Sequence, residues 1–278
     1  MGELETIQAI DDPLECARKA HTAIESHQQQ VSRLSAVRRD ALNRLAERGM
    51  SPTEIAKELG ISRSRVSQLR SAGLKAERAF FGTGRLTVAI GSKTELGRRD
   101  TVEKLVVSKE AVAAFDLIAD TARTLGLDVA REVVPQGGLV DLNRDNLVVL
   151  CAVRLLPFLS QVLAADSHLD FLEDEKGWYL KDHTTNTEYR SPRDSGELRD
   201  YGYVGRLPSP SGRGTFLYAA GIHSEGTLGA ATWLTENATE LYRNIKLGRF
   251  STLVETKFDE TSTITDVRQM TALYRENS

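Results

Sequence analysis

Two fold classes follow one another in this chain: an all-α helix-turn-helix domain at the N-terminus and an α/β domain in the remainder. Three observations predict them. Capping and glycine signals between Leu42 and Arg70 lay out short helices around a tight turn. From Leu86 onward, short β-branched or apolar runs alternate with amphipathic stretches, the pattern of strands and helices in one sheet. Charge is also uneven: Val31 to Ala79 carries eleven Lys/Arg against five Asp/Glu, a net +6, which leaves −9 on the rest of a chain whose net charge is −3. A basic segment on an acidic chain suits contact with an anionic polymer through that segment alone. The organisation read from these signals is an N-terminal helix over residues 1–30 with a dimerising role, a helix-turn-helix over 31–80, and an α/β domain over 84–278.

Pro13 to Arg48 contains no internal proline or glycine and is expected to be one long helix. Leu14, Ala17, Ile24, Val31, Leu34, Val37, Ala41 and Leu45 fall near a three-four repeat. That pattern fits an amphipathic helix lying on its own chain and fits a dimer-forming pair equally well. Ser51-Pro52-Thr53-Glu54 is a capping box with proline at the first helical position. Ile55, Ala56 and Leu59 form the inward stripe, Gly60 stands where a helix ends in a left-handed residue, and Ile61 plugs the core. Ser62 then caps a second helix that carries Val66 and Leu69 inward.

The outer face of that second helix presents Ser62, Arg63, Ser64, Arg65, Ser67, Gln68 and Arg70. Arg and Gln read base edges bidentately, and Ser and Arg hold phosphates, so these seven residues are the candidate DNA contacts. "GMSPTEIAKELGISRSRVSQLR" closely resembles the helix-turn-helix of the sigma-region-4 and LuxR-like group. The longer run "LSAVRRDALNRLAERGMSPTEIAKELGISRSRVSQLR" is similar to a form common in actinobacterial regulators. The resemblance implies that double-stranded DNA is a partner. A helical hairpin that only packs is the alternative.

In the second half, Leu86–Ile90 reads as a strand, Ser108–Leu125 as a helix, Leu127–Val134 as a strand and Leu147–Cys151 as a buried parallel strand. A helix through Leu155–Ala164 follows, then a hairpin-like stretch between Asp170 and Arg206 that allows a mixed sheet. Phe216–Ile222 is a further buried strand, Gly229–Tyr242 a helix, and Phe250–Phe258 the last strand.

Two places in this half have ligand-binding character. In "AAGIHSEGTLGAATWL" a strand delivers a glycine-bounded loop to a helix start, where backbone amides and the positive helix end attract an anion, commonly a phosphate. Gly221, His223, Ser224, Glu225, Gly226 and Thr227 are the candidates there; the same glycines would equally serve ordinary packing. The loop is neither a Walker A sequence nor a GxGxxG. In "RDYGYVGRLPSPSGRG", Asp200, Tyr201 and Arg206 are the second set, with Tyr201 to stack on a base and Arg206 to clamp a phosphate. The strand-GxxxxGTxGAA-helix stretch and the overall alternation resemble Rossmann-like nucleotide-sensor domains of the SLOG and nucleoside-deoxyribosyltransferase type. "VLCAVRLLP" departs from the glycine-rich first loop of such domains, so their catalysis is not carried over.

Cys16 and Cys151 lie in segments of different character, which points to free thiols and a reducing compartment. No Cys/His spacing indicates a metal site, and no cofactor is expected beyond a nucleotide-like effector. The function expected from the sequence is a sequence-specific DNA-binding transcriptional regulator, cytoplasmic and nucleoid-associated when bound, homodimeric, with no membrane partner. Its α/β domain would sense a small nucleotide-like or phosphate-bearing effector. No enzyme is expected. Two alternatives stay open: an enzyme cleaving N-glycosidic bonds of nucleotides, for which Glu225, Asp200 and Glu188 are the carboxylates, or an interaction and oligomerisation platform without a ligand.

Overall fold

The computed structural model describes residues 3–10, 12–82, 84–96 and 103–275. The chain divides into two compact units, Met1–Lys75 and Ala76–Ser278. None of the described helices is long and apolar enough to cross a membrane.

The first unit is all helical: α1 (Glu3–Gln8), α2 (Pro13–Glu47), α3 (Pro52–Leu59) and the first part of α4 (Arg63–Phe81). α2 is the expected long helix, opened by the Asp12 side chain, which accepts from the Leu14 amide, and by proline in its first turn. It runs unbroken through residues 30 and 31. α3 begins in the capping box read from the sequence. Ser51 Oγ accepts from the Glu54 amide at 3.3 Å, and the Ser51 amide donates to Glu54 Oε2 at 2.7 Å. The bonds from Ser51 hold the Glu54 carboxyl below its ordinary range. Ser51→Ala is expected to cost about 1 kcal/mol, read as roughly fivefold faster hydrogen exchange at the Ile55 amide, which hangs on the Ser51 carbonyl. Unchanged exchange would remove the box from the account.

α3 stops because Gly60 adopts φ 64°, a left-handed turn that any side chain would oppose. Leu42, Ile55, Ala56 and Val66 close the small core, with Leu45, Met50, Ile61 and Leu69 packed around them. Leu59, expected inside, is 50% exposed: at the last position of a two-turn helix it has passed the edge of that core.

The second unit is built on one eight-stranded mixed sheet. Its strands are β1 (Leu86–Gly91), β4 (Val129–Val134), β5 (Leu147–Leu150), β9 (Arg199–Pro208), β10 (Thr215–Gly221), β11 (Phe250–Phe258), β12 (Ile264–Gln269) and β13 (Tyr274–Arg275). They are ordered β12-β11-β9-β10-β5-β1-β4, with β13 also on β11. β10, β5, β1 and β4 are mutually parallel, which explains the unbroken apolar runs of β5 and β10, whose residues are covered on both faces. β9, β11 and β12 add on as an antiparallel wing. Two small sheets complete the unit: the hairpin β2 (Lys93–Leu96) with β3 (Glu103–Val106), and the meander β6 (Leu169–Asp174), β7 (Gly177–Asp182) and β8 (Thr187–Arg190).

Helices α5 (Lys109–Thr124) and α7 (Ser224–Ile245) pack on each other and on one face of the sheet. Gly202 of β9 points at α7, so by strand alternation Tyr201 and Tyr203 point to the other face. There they meet the core that includes Phe171, Leu180, Tyr218 and Leu253.

Four expectations change. The helix expected over Leu155–Ala164 is only α6 (Leu159–Leu163), because Pro157 has no amide to continue a helix through it. α7 starts at Ser224 instead of Gly229, so Gly226 and Gly229 lie inside the helix. The strand at Leu127 begins at Val129. β11 is not the last strand, because the alternating segment after Thr263 and the pair at Tyr274–Arg275 add to its exposed edge.

Candidate functional site

In the first unit, α4 is opened by Ser62, whose Oγ accepts from the Arg65 amide at 3.0 Å. Val66 is fully buried and Leu69 packs beside it, which turns Arg63, Ser64, Arg65 and Ser67 outward; all four are exposed, as is Ser62. Two arginines and three hydroxyls thus crowd the first turns of a helix that follows a tight glycine turn. The positive helix end adds to the arginine charge, and the arrangement suits phosphate and base edges together. The side chains of Gln68 and Arg70, also named from the sequence, lie outside the described ones.

In the second unit, the route through the sheet creates a crevice. From β1 the chain passes through α5 to β4 on one side, while β5 pairs on the other side of β1. Open α/β sheets bind ligands outside the carboxyl ends of their strands at such a reversal. A cavity of about 190 Å³ lies there, lined at its floor by Gly91, Leu150, Cys151 and Ala152, with Ser108 and Ala111 of α5 and His223, Ser224 and Thr227 of the α7 start around it. Lys93, Arg154 and Glu95 supply its charges. Gly91 is needed because a Cβ there would sit 2.2 Å from Cys151 Sγ. Burial pushes the Cys151 thiol up to about 12, which removes it as a thiolate nucleophile at neutral pH.

The glycine-bounded loop does not offer its amides to this crevice in the expected way. Asp200 Oδ2 accepts from the His223 amide at 2.8 Å and from the Gly226 amide at 3.0 Å. The protein's own carboxylate therefore fills the anion position at the start of α7. Asp200 is fully buried, its Oδ1 has no hydrogen-bond partner among the described residues, and burial raises its carboxyl above the ordinary 3.8. Gly221 N donates to Thr227 Oγ1 at 2.8 Å, which closes the loop further.

Residues 32–73 match a helix-turn-helix family described as a homeodomain-like domain. The match spans the C-terminal part of α2, all of α3 and the first turns of α4. The match supports a DNA-binding helix-turn-helix in this part of the chain. No curated protein matches the chain, and no solved structure does.

The sequence-predicted ligand residues divide into three groups. His223, Ser224 and Thr227 line the crevice, the His223 ring being held by Asp194 at 2.8 Å. Asp200, Gly221, Gly226 and Glu225 lie behind it. Glu225 is buried, paired with Arg193 at 3.0 Å and bonded by the hydroxyls of Ser224 and Ser262. Tyr201 and Arg206 are elsewhere. Tyr201 packs edge-on against Tyr189 on the opposite face of the sheet from α7. Arg206 is buried, donates to the Phe80 carbonyl at 2.6 Å, covers the Phe80 ring and is not among the residues lining the crevice. Burial lowers it to about 10. Of the three carboxylates weighed for catalysis, Asp200 and Glu225 lie at the start of α7, while Glu188 belongs to the β6–β8 meander, bonded to Arg190 at 3.2 Å. Sequence reading missed Lys93 and Arg154. The available signal was the ends of two buried parallel strands, each followed within a few residues by a cation.

Proposed function

We propose that the protein is a sequence-specific transcriptional regulator in which the homeodomain-like domain binds operator DNA and the α/β unit senses a small molecule. The outward set Arg63, Ser64, Arg65 and Ser67 on α4 carries the reading. The parallel, Rossmann-like quartet β10-β5-β1-β4 and the crevice at its ends support the sensing half. The likeness of residues 34–70 to actinobacterial regulators points the same way. A homodimer is part of the proposal, because one such domain alone binds DNA weakly; Leu14, Ile24, Leu34 and Val37, exposed along α2, are apolar surface that a second copy would cover. Ligand occupancy then shifts the population of DNA-competent protein by its differential affinity for the two states.

The test is selection of bound sequences from random duplexes, followed by anisotropy titration of the winner. Arg65→Ala is expected to weaken specific binding by roughly 1–3 kcal/mol and to relax the sequence preference at one position. Affinity should fall steeply with added salt, since each phosphate contact releases counterions. A flat salt response, or equal binding of selected and scrambled duplexes, rejects the operator reading.

A further inference from the structure

We propose that the crevice at the ends of β1, β5 and β10 binds a small phosphate-bearing metabolite through Arg154 and Lys93. The inference deepens the sensing half of the function above and rests on it, but it needs nothing from the DNA-binding half.

Charge argues first. Two cations, Lys93 and Arg154, line the cavity. Of the carboxylates near it in sequence, Asp200 is sealed under the first turn of α7 and Glu225 is turned into its pair with Arg193. The anion lining it is Glu95, exposed on β2 and suited to a ligand hydroxyl. The N-terminal turns of α5 and α7 both border the cavity, and their positive ends add to the field there. Specific amides contribute less, since Ala111 N already donates to Ser108 Oγ at 3.1 Å and Gly226 N to Asp200. Anion recognition therefore falls to the side chains.

The second argument is an unmet bond. Arg154 Nε is buried and has no hydrogen-bond partner among the described residues. Buried donors in folded proteins are almost always paired, and a guanidinium N–H is costly to leave without an acceptor. A ligand oxygen in the cavity that Arg154 lines supplies one, and a planar guanidinium matches the spacing of phosphate oxygens.

Size sets the class. About 190 Å³ is below the roughly 300 Å³ at which pockets for drug-sized ligands begin, so the occupant is a phosphate with a few carbons, not a dinucleotide. The apolar floor of Leu150 and Leu155 takes the carbon part.

The experiment is calorimetric titration of the full chain with inorganic phosphate, ribose 5-phosphate and malonate. Four proteins are compared: wild type, Lys93→Met, Arg154→Met, and the double variant Arg63→Ala/Arg65→Ala. The expected result is one ribose 5-phosphate per chain, bound more tightly than malonate. It should weaken at least about tenfold in Lys93→Met and Arg154→Met and stay unchanged in the double variant. Lys93 is exposed, so its variant reports on binding even where Arg154→Met fails to fold. Equal affinity in all four proteins overturns the proposal, as does loss confined to the double variant, which would put the phosphate on the DNA-binding face. Tighter binding of malonate overturns the phosphate class, and no binding of any probe overturns the site. Phosphate binding that depends on Lys93 in a protein that fails to select DNA would sustain this inference while rejecting the operator reading.

Discussion

Gly229→Ala is expected to lower the unfolding midpoint of the α/β unit by about 10 °C. A Cβ built at Gly229 would stand 1.8 Å from Thr256 Oγ1, 2.4 Å from its Cγ2 and 2.6 Å from its Cβ. Thr256 is completely buried on β11. The helix must therefore lift from the sheet. Lifting it also disturbs the neighbouring contacts, where Gly202 of β9 lies against the Gly226 carbonyl and Ala230. Overpacking of this kind costs about 3 kcal/mol, and a unit of this size loses roughly 2–4 °C per kcal/mol. Thr256→Ala removes two of the three offending atoms, so the double variant should recover part of the loss, which a thermal scan of the four combinations measures. A single variant melting within about 2 °C of wild type would show that α7 does not sit as close to β11 as described.

Asp200→Ala is the second large effect. It leaves the amides of His223 and Gly226 without their acceptor, the Gly226 amide being buried. Two buried donors stripped of their acceptor cost about 3 kcal/mol. The loss should concentrate at the start of α7, so hydrogen exchange at Gly226 is expected to quicken by about a hundredfold. Amides that keep their wild-type protection would deny Asp200 its role as the cap. The pH dependence has a definite sign. Burial raises the Asp200 carboxyl above 3.8, so the folded state holds the proton more tightly than the unfolded chain does. This linked stabilisation is complete below 3.8 and is lost as pH rises through the higher folded value. Asp200→Asn abolishes that slope.

The helix-turn-helix was legible because its determinants are local. Ser51, Glu54, Gly60 and Ser62 act within four residues of themselves, and the structure shows each doing so. β1, β5 and β10 were legible as largely apolar runs, since strands covered on both faces have no polar alternation to obscure them. The start of α7 was misread for a physical reason. Gly226 and Gly229 look like loop residues by propensity, yet they lie within a helix because only glycine admits Asp200 and Thr256 so close to its axis. The sequence reading took that freedom as room for a ligand. That Arg206 lies apart from the crevice was hidden because its partner, the Phe80 carbonyl, is 126 residues away. Lys93 and Arg154 were missed because the crevice exists only once β1 and β5 are paired.

Helix α4 has a bearing on how this protein can be dissected. It begins with the outward arginines and serines of the first unit and ends at Phe81, while the second unit begins at Ala76. Phe80 and Phe81 are buried, and the Phe80 carbonyl is what the sealed-in Arg206 guanidinium holds. A fragment cut at the glycines after Phe81 would look like a clean excision of the α/β half. It would carry a cation stripped of its acceptor and a hole where two aromatic rings had been. Any excision of the α/β unit therefore has to keep the last turn of α4 with it.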